Sequence, residues 1–366
     1  MALIIAEIGT SHGGSEEKAA ELVDAAVEAG ADAVKFQWVY ADEILHPDTG
    51  FVSLPSGNIP LYDRFRQLEK TADFYASMCR YVRSRGREFI CSPFGKRSLT
   101  ELLELEPDAV KIASPELNHI EMLEALAGRR AESAVPVILS SGVSKLADIE
   151  TALGILGTEK VSLLHCITCY PAPEEEYNLR LIGNLGAVFG VETGVSDHSL
   201  DPVLVPCLSV ACGGTVIEKH ITLSRRTSGL DDPVALEPEQ FALMVHEVRQ
   251  CEAVLRHFGA DEGERVIRAQ LSGQFGAGRV DAVIGDGVKR LAPSERMNYG
   301  RTNRSLHYMR TMHAGDRISA GDIAVLRTEK VLSPGISPEF AGFLEGKALV
   351  RDVVTGAGVS LDDFVS

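Results

Sequence analysis

Residues 192–222 read ETGVSDHSLDPVLVPCLSVACGGTVIEKHIT. Two short strand-like runs, ETGVSDH and TVIEKHIT, flank a longer apolar stretch. Each gives way to polar residues at a histidine, His198 in the first and His220 in the second. One histidine at a strand end is ordinarily a satisfied structural residue. Two in consecutive strands raise the question of a shared ligand. Period-two alternation places Ser196 on the face of His198 and Glu218 on the face of His220.

The same rhythm runs back to the start of the chain. LIIAEIG, DAVKFQ, EFICSPF, AVKIAS, PVILSSG and VSLLHCIT are further runs rich in Val, Ile and Ala. Helical patterns such as SEEKAAELVDAAVEAG and KLADIETALGILG follow them, with apolar residues at three- and four-residue spacing. Ser15 is the candidate N-cap of the first. Eight strand-then-helix units predict a parallel sheet, and eight is the number that closes a barrel. Residues 1–258 are therefore expected to form an α/β fold, a (β/α)8 TIM barrel, in preference to a doubly wound open sheet.

The longest interruption, from Trp38 to about Lys70, contains Pro47, Pro55, Gly57 and Pro60 and reads as an extended loop or lid. Residues 259–300 mix glycine with charge and read as a connecting segment. From Arg301 to Ser366, RSLHYMRTMHAGDRISAGDIAVLRT opens a different rhythm of short segments broken by AGD turns, which predicts a small, mostly β domain.

The 366 residues are 45% hydrophobic and 24% charged, so a sizeable core can form. The net charge of −16 argues against a nucleic-acid or anionic-membrane partner, because no basic field recruits a polyanion. MALIIAEIG is too short for a secretory leader or a membrane span, and seven scattered cysteines suit a reducing compartment. A cytoplasmic protein is expected. Cys166 and Cys169 have CxxC spacing but no second such pair, so buried thiols are the default reading.

In a barrel of this kind the chemistry gathers where the strands end. Glu7 closes the first strand, and Lys35 with Gln37 the second. Ser92 lies at the third, Lys111, Ser114 and Glu116 at the fourth, and Ser140 and Ser141 at the fifth. Thr168 and Tyr170 follow the sixth. Each alone has a structural reading, and Glu218 is expected simply to pair with a lysine. Together, two lysines and several hydroxyls suit a compact polyanion such as a phosphate with an adjacent carboxylate. Two neutral imidazoles, His198 and His220, would give a cation only part of its shell, which suits a catalytic ion; Mn²⁺ or a similar octahedral ion is expected.

These segments resemble, in order, the phosphoenolpyruvate-dependent sialic acid synthases. The resemblance is carried by IIAEIG with a following His-Gly, GADAVKFQ, SPF, VKIASPE, VILSSG, LLHC with YPAP, GVSDHSLD and IEKHIT. The tail RSL…AGDRISAGDI…LR resembles the antifreeze-like (SAF) domain that ends these synthases. The resemblance implies condensation of phosphoenolpyruvate with an N-acetylated hexosamine aldehyde to give a nonulosonic acid and phosphate. It implies that His198 and His220 hold a divalent metal, Mn²⁺ with Mg²⁺ or Co²⁺ as alternatives. Lys35, Ser92, Lys111, Ser114, Ser140 and Ser196 would cradle phosphoenolpyruvate, and Glu7 would do acid–base work. Gln37, Glu116, Tyr170 and Asp231 would line the sugar side. Arg327 would reach the N-acyl group from a partner subunit, in a domain-swapped homodimer.

The chain departs from the family pattern around the sugar. TSHGG lacks the asparagine usual before the histidine, Thr168 replaces an asparagine that helps bind the substrates, Pro115 stands in SPE where SGE is usual, and Thr328 replaces a proline after Arg327. The acceptor therefore stays open between N-acetylmannosamine and modified relatives. Two competing readings are a Schiff-base aldolase using Lys111 or Lys35, and a non-catalytic carbohydrate-binding relative.

Overall fold

The computed structural model describes residues 1–54, 57–227 and 229–364. Among them, eight parallel strands close into a barrel. These are β1 (Leu3–Gly9), β2 (Ala33–Trp38), β3 (Glu88–Pro93), β4 (Ala109–Ile112), β5 (Val137–Ser140), β6 (Val161–Cys166), β7 (Glu192–Asp197) and β8 (Val216–His220). Each falls within a run expected to be a strand, except that β2 extends one residue further, to Trp38. The barrel closes where β8 pairs with β1, a register that sets Glu7 opposite His220.

Helices wrap the outside. In α1 (Glu16–Glu28) the Ser15 hydroxyl accepts from the Lys18 N–H at 3.1 Å, and Ala19, Leu22, Val23 and Ala26 turn one apolar stripe inward. The main core lies between these helices and the sheet.

A second, smaller core fills the lumen, and it orders the site. Ile5, Ala33, Ile90, Ala109, Ile138, Leu164 and Val216 form one apolar layer across seven strands. On β7 the equivalent place is Gly194, where a Cβ would sit 1.9 Å from the Val216 carbonyl oxygen, so no side chain fits. Alternation then lifts the lumen face two residues toward the strand ends, to Glu7, Lys35, Ser92, Lys111, Ser140, Cys166, Ser196 and Glu218. Apolar packing and polar chemistry are thus consecutive layers of one stack.

Two expectations are corrected. The insertion after β2 is not an open loop: it carries a helical turn (Ala41–Ile44), a hairpin (Phe51–Leu54 with Gly57–Pro60) and a helix (Leu61–Leu68). Its prolines punctuate elements, with Pro60 immediately preceding the last helix, and Val39, Ile44, Leu45, Leu61 and Phe94 pack as its core. Pro55 lies outside the described residues. Residues 259–300, expected to connect, carry the helices Ala260–Phe275 and Ala277–Ile284. Glycines 259, 276 and 285, all at positive φ, are the joints between and beyond them, and the charged residues are good helix formers.

The C-terminal domain pairs β9 (Arg304–Tyr308) with β10 (Ile323–Arg327) antiparallel, over a core that includes Leu306, Tyr308, Ile318 and Val353. Among the described residues no helix is long and apolar enough to cross a membrane.

Candidate active site

A cavity of about 910 Å³, counting its open mouth, occupies the lumen above the apolar layer. Its floor is electrostatic. The Lys35 ammonium pairs with Glu7 and lies 3.6 Å from Glu218 Oε2, while Lys111 Nζ lies 3.6 Å from Glu218 Oε1. Ser196 donates its hydroxyl to Glu218 Oε1 at 2.9 Å. Glu218 thus bridges both lysines, as its expected pairing role requires, and it also lines the cavity.

Burial decides how these groups titrate. It pushes the Glu7 carboxyl up to about 7, with Glu218 adding repulsion and Lys35 opposing the rise. Burial also acts against both ammonium groups. For Lys35 the attraction of Glu218 and Glu7 outweighs it and the pKa rises; for Lys111 burial wins and the pKa falls. Gln37 Nε2 donates to Glu7 Oε1 at 2.9 Å, fixing the carboxyl against β2. The Ser140 hydroxyl is buried without a hydrogen-bond partner, an unmet polar group in the floor. Ser114 accepts from the Gly142 N–H at 3.0 Å. A Cβ on Gly142 would stand 2.1 Å from Thr168 Oγ1 and 2.9 Å from Ser114 Oγ, so glycine is what leaves room for both hydroxyls.

The two histidines meet above this floor, their ring centroids 5.6 Å apart. His198 Nδ1 is engaged by the Ile167 carbonyl at 2.8 Å, which directs Nε2 to any ligand. His220 Nδ1 has no hydrogen-bond partner, and Asp231 Oδ2 stands 4.0 Å from it. Burial lifts the Asp231 carboxyl to about 6. Tyr170 stacks on His198 at 4.2 Å and stays half exposed. Among the described residues no group of three or more His, Cys, Asp or Glu forms a full metal shell. A buried imidazole nitrogen without a partner, beside a second imidazole, fits a partial one.

The C-terminal domain roofs the mouth. Arg327 lines the cavity, and its Nη2 donates to Glu116 Oε1 at 2.6 Å. Arg304 Nε donates to Glu116 Oε2 at 2.6 Å, and its other nitrogens reach the carbonyls of Glu43, Phe94 and Val325. Glu116 is fully buried and held below the ordinary carboxylate range: burial opposes ionisation, but Arg304 and Arg327 outweigh it. One expectation changes here: Glu116 does not line the cavity, and both its oxygens are bound by arginines.

The other expected site residues converge. Lys35, Gln37, Lys111, Ser114, Ser140, Thr168, Tyr170, Ser196, His198, His220 and Asp231 all line the cavity. Glu7 lies directly behind Lys35 and Gln37, and Ser92 accepts from Lys35 Nζ at 3.4 Å from outside the cavity wall. Several contributors escaped the sequence reading. Glu295 accepts from the Val143 N–H at 2.7 Å and the Thr168 N–H at 2.8 Å, tying two mouth loops together. Asp197 and Lys219, on the opposite strand faces to the histidines, form a fully buried pair at 2.6 Å. Alternation could have found that pair; nothing local marks Glu295 or Arg304.

Comparison with known proteins agrees with this architecture. Residues 22–259 match the NeuB family and residues 303–365 the SAF domain. The spore coat polysaccharide biosynthesis protein SpsE of Bacillus subtilis is 31% identical over 99% of this chain and 93% of its own length. Its crystal structure superposes with a TM-score of 0.79, covering 100% of this chain and 95% of that one at 30% identity. The N,N'-diacetyllegionaminic acid synthase of Legionella pneumophila is 29% identical over 96% of this chain and 92% of that protein. A pseudaminic acid synthase of Campylobacter jejuni is 29% identical over 99% and 96%. The chain belongs to the NeuB family and ends in a SAF domain.

Proposed function

We propose that this protein condenses phosphoenolpyruvate with the aldehyde of an open-chain N-acetylated hexosamine, giving a nonulosonic acid and phosphate. The observation that carries the reading is the lumen floor: Lys35 and Lys111 on either side of Glu218, with the unpartnered Ser140 hydroxyl in the same layer. Synthase relatives of closely matching length support it.

Phosphoenolpyruvate would lie with its anionic groups toward Lys35, Lys111, Ser114, Ser140 and Ser196, with Ser92 holding Lys35 from behind. Carbon three attacks the aldehyde carbon, forming the C–C bond and leaving cationic character at carbon two. Water adds there, and the C–O bond to phosphate breaks. Glu7, with a pKa near neutrality through burial, can hold or release a proton at Oε1 or Oε2 during that addition. Gln37, Thr168, Tyr170, Asp231 and Arg327 would position the sugar chain, so the protein's main contribution is orientation and preset charge. His198 and His220 would hold a divalent cation, Mn²⁺ by preference with Mg²⁺ or Co²⁺ as alternatives; when bound it would polarise the aldehyde. Seven free thiols suit a cytoplasmic setting.

One observation favours a second reading: burial lowers the Lys111 pKa, as a Schiff-base lysine needs. Phosphate release from phosphoenolpyruvate, assayed across a panel of N-acetylated hexosamines, decides between them. Release with one sugar, abolished by EDTA and by His220→Ala, is the expected result. Chelator-insensitive borohydride trapping on Lys111, without phosphate release, would replace the synthase with the aldolase.

A further inference from the structure

Resting on the synthase reading, we propose that Lys289, Glu295 and Asn303, all beyond the barrel, are positioning residues for phosphoenolpyruvate. They clamp the turn of residues 141–144 in a strained form that the phosphoenolpyruvate cradle requires. The turn follows β5 directly, so its path sets the aim of Ser140, the unpartnered hydroxyl of the floor. Lys289 Nζ donates to the Ser141 carbonyl at 2.9 Å. Glu295 Oε1 accepts from the Val143 N–H at 2.7 Å, and Asn303 Nδ2 donates to the Val143 carbonyl at 3.1 Å. Both backbone groups of one residue are thus held by side chains 152 and 160 residues away.

Val143 is why holding is needed. It is fully buried, and its φ is +41°, in the left-handed region that a β-branched residue avoids. Backbone in that region persists only where its surroundings over-determine it. The clamping groups are themselves fixed. Glu295 is fully buried and its Oε2 accepts from the Ala292 N–H at 3.2 Å, while Asn303 Oδ1 accepts from the Gly300 N–H at 2.9 Å. The strained turn orients the cradle. Its Gly142 donates the N–H that Ser114 Oγ accepts at 3.0 Å, and Ser114 lines the cavity. Glu295 Oε1 also accepts from the Thr168 N–H at 2.8 Å, so one carboxylate oxygen sets the spacing of the turns after β5 and β6. A Val143 free to relax to negative φ would turn the Gly142 N–H away from Ser114. Asn303 begins the SAF match, so the C-terminal domain acts at the anion end of the cavity as well as at its roof.

The test measures phosphoenolpyruvate binding to the full chain by calorimetry, with Mn²⁺ supplied. It compares the effect of Glu295→Ala in two backgrounds, the parent and Val143→Gly. With valine at 143, Glu295→Ala is expected to weaken binding about tenfold or more. With glycine, which adopts positive φ without steric cost, the same substitution should weaken it less than about threefold. A residue that only stabilises the fold would lower the melting temperature in both backgrounds and leave the affinity alone. Equal losses in both backgrounds, or no loss in either, would overturn the clamp. If Glu295→Ala does not fold, Asn303→Ala is measured in the same two backgrounds, with the same contrast expected and the same results overturning it. Phosphate release with N-acetylated hexosamines separates the two ideas. Release by the parent, with a KM for phosphoenolpyruvate that Glu295→Ala leaves unchanged, keeps the synthase and overturns the clamp. The contrast in binding without release from any sugar overturns the synthase and supports the clamp. A parent that binds no phosphoenolpyruvate overturns both.

Discussion

The lumen floor and the roof both bury charge, but they settle it differently. In the floor, Glu7, Lys35 and Glu218 come from three neighbouring strands and Lys111 from β4 across the lumen, and they satisfy one another only in part: Lys111 is pushed down, Glu7 up, and the Ser140 hydroxyl has no partner. In the roof, Glu116 is saturated by Arg304 and Arg327, partners 188 and 211 residues away in sequence. Incomplete satisfaction marks a place waiting for a ligand. Saturation marks a latch.

The contrast can be broken by substitution. Lys111→Met should lower kcat/KM for phosphate release roughly 10²–10³-fold, the scale of losing one preorganised electrostatic contact, while the melting temperature holds or rises. Retention of activity within a few-fold would remove the floor from the binding site. Arg304→Met should do the reverse, costing about 3–5 kcal/mol of stability because Glu116 loses a buried partner; a denaturant midpoint unchanged from the parent would refute the latch.

Mixing sharpens the roof's part. If each chain's own Arg327 serves its own barrel, inactive His220→Ala and Arg327→Ala proteins, unfolded together and refolded, should stay inactive. Recovery toward a quarter or half of parental activity would show arginine exchanged between chains.

The pH dependence gives a further test, through three buried imidazoles of which His119 borders the roof. Burial holds His12 to about 4 and His119 and His165 to about 3, below the 6.5 at which imidazoles titrate when exposed. Between those values the unfolded chain binds more protons, so stability should fall as pH drops from 6.5 toward 4. Thermal melts across that window should show a steady decline, shallower in His12→Phe. A flat profile would mean these imidazoles are hydrated.

Nearly all of the floor was legible from the sequence because strand periodicity is strict. Lys35 and Gln37, Ser196 and His198, and Glu218 and His220 each share a face by alternation alone. The roof was not. Arg304 and Glu295 matter through contacts that exist only once the chain after the barrel folds back, and no local pattern encodes that path. The same limit explains Glu116: its position in the SPE segment suggested a sugar contact, whereas its partners arrive from the far domain. The insertion failed for another reason. Proline and glycine mark breaks between elements as readily as loops, and spacing alone does not separate the two.

The pairing of Glu7 with His220 joins the barrel's first strand to its last. Glu7, Lys35 and Lys111 are made early in synthesis, whereas Ser196, His198, Glu218 and His220 are made more than eighty residues later. Until β8 takes its place beside β1, neither half holds a usable set of groups. A nascent or misassembled chain is therefore chemically silent, and the appearance of turnover is itself a report that the last stave of the barrel is in place.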